Sequence, residues 1–137
     1  MGDAVRGLAQ RALRALRAAL DDHDGLGAHD VALEAARVLH MLGVGEELRL
    51  VDLRADLDVL RDGEIEGAER IHPDALGAVA WEADRDVVLV CVDGVASARA
   101  ALALRRAGHG RFWSVDRGFP AWARDGGGVI RPAGALA

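Results

Sequence analysis

The hydrophobic and polar positions of this chain change rhythm near Glu46. Before that point the spacing is helical. From Asp3 to Asp22, Leu8, Leu13, Leu16 and Leu20 recur on one stripe, with Arg6, Arg11, Arg14 and Arg17 between them. Asp24-Gly25-Leu26-Gly27 breaks the pattern. A second helix is predicted from Asp30, as N-cap, to Leu42, ending at Gly43. Its stripe would be Val31, Leu33, Ala35, Val38, Leu39 and Leu42. Residues 1–45 therefore read as a helical hairpin extension. Two helices cannot bury both stripes between themselves. They are expected to pack on the rest of the chain or on a partner, a homodimer through these helices included.

From Glu47 onward, short apolar runs alternate with helical segments. Leu48 to Val51 is a strand candidate ending at Asp52, and Glu69 to Ile71 is another. Asp86 to Val90 is the strongest, with four consecutive aliphatic residues, as suits a strand covered on both faces. Phe112 to Val115 is the next. Helices are predicted over Ala55 to Arg61, from Asp74 as N-cap to about Trp81, over Ser97 to Ala107 with Gly108 as the stop, and over Pro120 to Asp125. This alternation implies an α/β fold with a mostly parallel central sheet and helices on both faces. Residues 46–130 would form that domain. The glycines after Gly126 and then Pro132 predict a mobile end, with 131–137 as a flexible tail.

Composition narrows the function classes. The 137 residues, 51% of them hydrophobic, suffice for one domain of this kind. A net charge of −5 speaks against nucleic acid as a partner. All 17 basic residues are arginine, and lysine, threonine, asparagine and tyrosine are absent, which points to a GC-rich bacterial genome rather than to function. The single cysteine, Cys91, forbids an intramolecular disulfide and argues against a cysteine-rich zinc site. No apolar run approaches the roughly 18–20 residues of a membrane span. The arginine-rich N-terminus lacks the apolar core and cleavage pattern of a secretion signal, and Arg6 breaks the myristoylation pattern. A cytoplasmic protein without a membrane partner is expected. Asp21-Asp22-His23-Asp24, with His29 and Asp30, has metal-ligand residue types but no ligand spacing, and reads as a solvated loop.

The candidate chemistry lies at the strand ends. The predicted strands finish at Asp52, Cys91 and Asp116, and in a parallel sheet these ends share one edge, where functional groups gather. The segment Cys91 to Ser97 joins the strongest strand to a helix. Gly94 permits unusual backbone angles, and Ser97 is a good N-cap. Such a loop turns successive N–H groups inward with the helix dipole behind them. A thiolate held there is the reactive form of cysteine. The competing reading is a buried cysteine packed as a small hydrophobe.

Four segments carry a family resemblance. Val51-Asp52-Leu53-Arg54 is similar to an "(I/V)DVR" strand end. Gly63-Glu64-Ile65-Glu66-Gly67-Ala68 is similar to "GHIPGA". Cys91 to Ser97 matches the loop "CxxGxRS" at cysteine, glycine and serine. Asp116-Arg117-Gly118-Phe119-Pro120-Ala121-Trp122 is similar to "DGGFxAW". In this order they resemble the rhodanese homology domain, over Leu50 to about Val129. The resemblance implies a rhodanese-like fold and a sulfurtransferase. Cys91 would be the catalytic nucleophile and persulfide carrier, and the N–H groups of Val92, Asp93, Gly94, Val95, Ala96 and Ser97 would cradle the sulfur. It implies a donor such as thiosulfate, mercaptopyruvate or a persulfidated protein, a thiol or protein acceptor, and no metal or organic cofactor. Phosphatases of the same fold use a longer loop with arginine where this chain has Ser97, so phosphatase activity is not expected.

Departures from the pattern qualify the reading. Ala96 replaces the family's usual arginine, and Asp93 adds negative charge. Both disfavour a dianion such as thiosulfate. Arg117 stands where the family has glycine, on the same sheet edge as Cys91. Arg117, with Arg54 or Arg99 as weaker candidates, is the expected electrostatic support. The competing expectations are that Arg117 points to solvent and that Arg54 pairs with a structural carboxylate. His72 and His109 read as structural and Trp122 as core. The rival function is a non-catalytic binding or regulatory module that uses the N-terminal helices for dimerisation or docking.

Overall fold

A computed structural model describes residues 27–109 and 111–131 of the chain. The predicted helix over 3–22, the Asp21–Asp24 cluster and the segment 132–137 lie outside the described residues. Five parallel strands form the central sheet. In chain order they are β1 (Ala32–Leu33), β2 (Arg49–Asp52), β4 (Glu69–Arg70), β5 (Val87–Val90) and β6 (Phe112–Val115), arranged β1-β6-β5-β2-β4. A separate antiparallel pair joins β3 (Glu64–Ile65) to β7 (Val129–Ile130).

Period-two alternation along the central strands divides the core. Val87, Leu89 and Cys91 pack with Ala98, Ala101 and Leu104 of helix α4 (Val95–Arg106). Val88 and Val90 face the other way, onto Ala35 and Val38 of α2 (Ala35–Gly43) and onto Phe119 and Trp122 of α5 (Gly118–Arg124). Helices therefore cover both faces, as the α/β pattern requires. The short helices α1 (Ala28–Val31) and α3 (Asp56–Asp62) complete the described layers.

Three predicted elements are corrected. The helix expected from Asp30 to Leu42 is broken, because Ala32 and Leu33 pair with Ser114 and Val115 as the sheet's edge strand. Leu33 O accepts from Asp116 N at 2.8 Å, so ladder bonds replace helical ones here. Asp30 is not an N-cap; its carboxylate accepts from Gly27 N, and Glu34 precedes α2 with extended backbone. The helix expected from Asp74 is a 3-10 turn over Pro73–Ala78. His72 caps it, accepting from Asp74 N through Nδ1 at 3.1 Å. Residues 127–130, expected to be mobile, are tied down: Trp122 O accepts from Gly127 N at 2.8 Å, and Val129–Ile130 pairs with β3.

Candidate active site

All five central strands run the same way, so the ends of β2, β5 and β6 share one edge, and Asp52, Cys91 and Asp116 lie on it. Cys91 is 4% exposed. Its sulfur accepts from Gly94 N at 3.1 Å and from Ser97 N at 3.3 Å, and it lies 3.2 Å from Ser97 Oγ. Two backbone donors converging on one sulfur, with a hydroxyl in reach, complement negative charge there. The helix α4 begins immediately behind, which adds its N-terminal dipole.

The cradle differs in detail from the sequence expectation. Gly94, at φ +87°, is the residue preceding the helix, so α4 starts two residues before Ser97. Ser97 is therefore not the N-cap. It is fully buried in the first turn, and its N–H and hydroxyl both serve the sulfur. The first free amide of the helix, Val95 N, is taken by Asp93 Oδ1 at 3.0 Å and does not belong to the cradle. Of the six amides named from the sequence, the structure brings those of Gly94 and Ser97 onto the sulfur. The amides of Val92, Asp93 and Ala96 make no bond to it among the described residues. Asp93 Oδ1 itself is 3.8 Å from the sulfur.

A second turn holds this loop closed. Phe119 N donates to Cys91 O at 2.8 Å. Gly118 has φ +65°, and a Cβ there would come within 2.4 Å of Cys91 O and 2.8 Å of Asp93 N. Only glycine fits that approach. Arg117, beside it, has φ +63°, a left-handed conformation that costs a non-glycine residue about 1–2 kcal/mol. This accounts for glycine in the family pattern at that position.

The arginine candidates fall differently. Arg54 is buried and doubly bonded to Asp52, with Nε to Oδ1 at 3.0 Å and Nη2 to Oδ2 at 2.9 Å. It also donates to Gly63 O at 2.8 Å and lies 4.0 Å over the Phe119 ring. Phe119 belongs to the sheet face opposite the Cys91 side chain. Arg54 thus pairs with a structural carboxylate, and its charge is spent there rather than on the sulfur. Arg117 is exposed and lines an open hollow of about 290 Å³ with Asp93, Gly94, Val95, Arg99 and Asp116. It stands beside the loop without touching the sulfur. His72 caps its 3-10 turn, His109 packs edge-on to Phe112, and Trp122 is core. No group of three or more metal-ligating side chains occurs among the described residues. No described helix is long and apolar enough to cross a membrane.

Sequence reasoning missed two site residues. Ser114 Oγ lies 2.6 Å from Ser97 Oγ and is buried. A lone hydroxyl in the apolar run Phe112-Trp113-Ser114-Val115 was the available signal. Gly118 was visible only as a motif letter, because its close approach depends on two loops meeting.

Comparison with known proteins places these features. Residues 34–125 match the family described as Rhodanese-like domain. The thiosulfate sulfurtransferase GlpE of Shewanella oneidensis is 34% identical over 79 residues, covering 56% of this chain and 77% of that protein. A sulfurtransferase of Allochromatium vinosum is 33% identical over 91 residues, covering 65% of this chain and 84% of that protein. Among solved structures, the rhodanese-like domain of an Anabaena protein superposes with a TM-score of 0.62 at 26% identity, covering 78% of this chain and 88% of that one.

Proposed function

Because this chain belongs to the rhodanese-like domain family, we propose that it is a sulfurtransferase carrying sulfane sulfur as a persulfide on Cys91. The observation that carries the reading is the convergence of Gly94 N, Ser97 N and Ser97 Oγ on the Cys91 sulfur at the end of β5. The names of the Shewanella and Allochromatium relatives support it.

In the first half-reaction the Cys91 thiolate attacks the outer sulfur of the donor. The donor's bond to that sulfur breaks, and the remainder leaves with the electron pair; from thiosulfate the leaving group is sulfite. In the second half-reaction an acceptor thiolate attacks the outer persulfide sulfur, and Cys91 leaves as thiolate. The cradle stabilises the anionic sulfur at both ends of this cycle. The reaction needs neither a metal nor an organic cofactor. Acceptance of sulfur by a protein or small thiol, rather than by cyanide, fits a loop without arginine at Ala96 and with the Asp93 carboxylate 3.8 Å from the sulfur.

Arg117 is the candidate counter-charge for an anionic donor. Replacing it by alanine should lower the rate with thiosulfate several-fold and leave an uncharged donor unaffected, and equal rates with both would remove Arg117 from the account. Transfer from thiosulfate, mercaptopyruvate or a cysteine-desulfurase system to a thiol acceptor tests the whole reading. It should require Cys91, and a Cys91→Ala chain with undiminished transfer would refute it.

The second reading is a binding module, with the N-terminal segment as its docking element. The near-complete burial of Cys91 favours it. It predicts no transfer from any donor and a partner-dependent change in mass by light scattering.

A further inference from the structure

We infer that Ser114 sets the direction of the hydrogen bond between Ser97 and the Cys91 sulfur, and is thus a positioning residue for the nucleophile. The inference rests on reading Cys91 as the nucleophile, and assigns a role to a residue on a different strand. Ser114 is 1% exposed and Ser97 0%. Their hydroxyl oxygens are 2.6 Å apart, and Ser97 Oγ is 3.2 Å from the sulfur. The three groups form a buried chain running from β6 through α4 to the end of β5.

Each hydroxyl brings one proton, so this chain has two senses. In one, Ser114 donates to Ser97 and Ser97 donates to the sulfur. Both hydroxyl protons are then used, and the sulfur accepts from Gly94 N, Ser97 N and Ser97 Oγ. In the other, Ser97 donates to Ser114, and the thiol proton goes to Ser97 or to Asp93 Oδ1, 3.8 Å from the sulfur. The Ser114 proton then has no protein acceptor among the described residues, and a buried donor without a partner is costly. The first sense satisfies more groups and is the one that suits an anionic sulfur. A hydroxyl that receives a hydrogen bond is also a better donor. Without Ser114, the Ser97 hydroxyl is free to turn toward the carbonyl of Asp93 or Gly94, three or four residues back, as serines near a helix start do.

The charged groups around this chain stay constant when Ser114 is changed. They are Asp93 on the loop, Arg99 on α4, Asp116 and Arg117 after β6, and His29 and Glu34 across the hollow that Ser114 lines. A difference between variants therefore reports the hydroxyl.

The test is the pH profile of Cys91 alkylation by iodoacetamide in the full chain. Ser114→Ala should move the midpoint up by about one pH unit, the size of one hydrogen bond. Ser114→Thr, which keeps the hydroxyl, should restore it. In a Ser97→Ala background, Ser114→Ala should add nothing, because its effect passes through Ser97. Should Ser114→Ala not fold, Ser114→Val, which matches the threonine variant in shape and lacks its hydroxyl, must show the upward move. An unmoved midpoint, or an equal move with and without Ser97, would overturn the inference. Alkylation needs no sulfur donor. A coupled shift without persulfide formation would therefore sink the sulfurtransferase reading alone. Sulfur transfer without the coupled shift would sink this inference alone.

Discussion

At the scale of single residues, Asp93 has two opposed effects. Its Oδ1 accepts from Val95 N at 3.0 Å and so caps α4, yet the same oxygen lies 3.8 Å from the Cys91 sulfur. Two negative groups at that distance repel by about 1 kcal/mol even at the dielectric of water. Asparagine keeps the capping oxygen and removes the charge. Asp93→Asn should therefore raise the rate of sulfur uptake from thiosulfate about fivefold at low salt, with the gain shrinking as ionic strength rises. Steady-state kinetics across a salt series would show it, and a rate that falls or stays level would mean that the carboxylate does not oppose the donor. Cys91, Gly94 and Asp93 were legible in the sequence, because residue type and position at a strand end are enough to suggest their chemistry. The Ser97 amide was legible too, but the work done by the Ser97 and Ser114 hydroxyls was not, because it depends on which way a buried hydroxyl points and on which strand lies opposite.

At the scale of elements, strands β5 and β6 were readable from their apolar runs, and β2 from the run ending at Asp52. Strand β1 was hidden. Ala32 and Leu33 are only two residues, and the apolar positions around them fit one helical stripe, although Val31 ends α1 in one core cluster and Leu33 of β1 lies in the other. Tertiary pairing with β6 decided between them. The edge strand β4 shows a polar counterpart of such pairing. Arg49 of β2 hydrogen-bonds Glu69 of β4 through both carboxylate oxygens. That hydrogen bond holds the Glu69 carboxyl below its usual range, against the opposing effect of burial. A group whose value is depressed on folding contributes stability above its unfolded value and loses it as pH falls through the folded one. The melting temperature should accordingly fall on acidification below about pH 4, and more steeply in the wild-type chain than in Glu69→Gln. Parallel slopes in thermal melts of the two chains would show that the pair adds nothing to the sheet edge.

At the scale of the whole molecule, the change of rhythm near Glu46 does not mark the edge of the packed structure. β1 and α2, assigned to the hairpin by their spacing, belong to the sheet and to one of its covering layers. Val31 and Val38 are fully buried, and Leu33 nearly so. Burial of three such side chains is worth on the order of 5 kcal/mol, comparable to the whole stability of a small domain. A chain beginning at Gly45 should therefore show no cooperative melt by circular dichroism, whereas one beginning at Gly27 should keep it. Equal melting of the two would show that these elements are not part of the domain. What the whole fold achieves is to bring three strand ends and two loops together, with Gly118 closing against Cys91 O and Phe119 N bonded to it. The central claim is that the sulfur held there accepts another. Intact-mass and peptide mass spectrometry after incubation with thiosulfate, mercaptopyruvate or a cysteine-desulfurase system tests it most directly. The account predicts an adduct of about +32 Da, one sulfur atom, on Cys91, removed by an acceptor thiol. A folded chain whose Cys91 can be alkylated but gains no sulfur from any of these donors would contradict it.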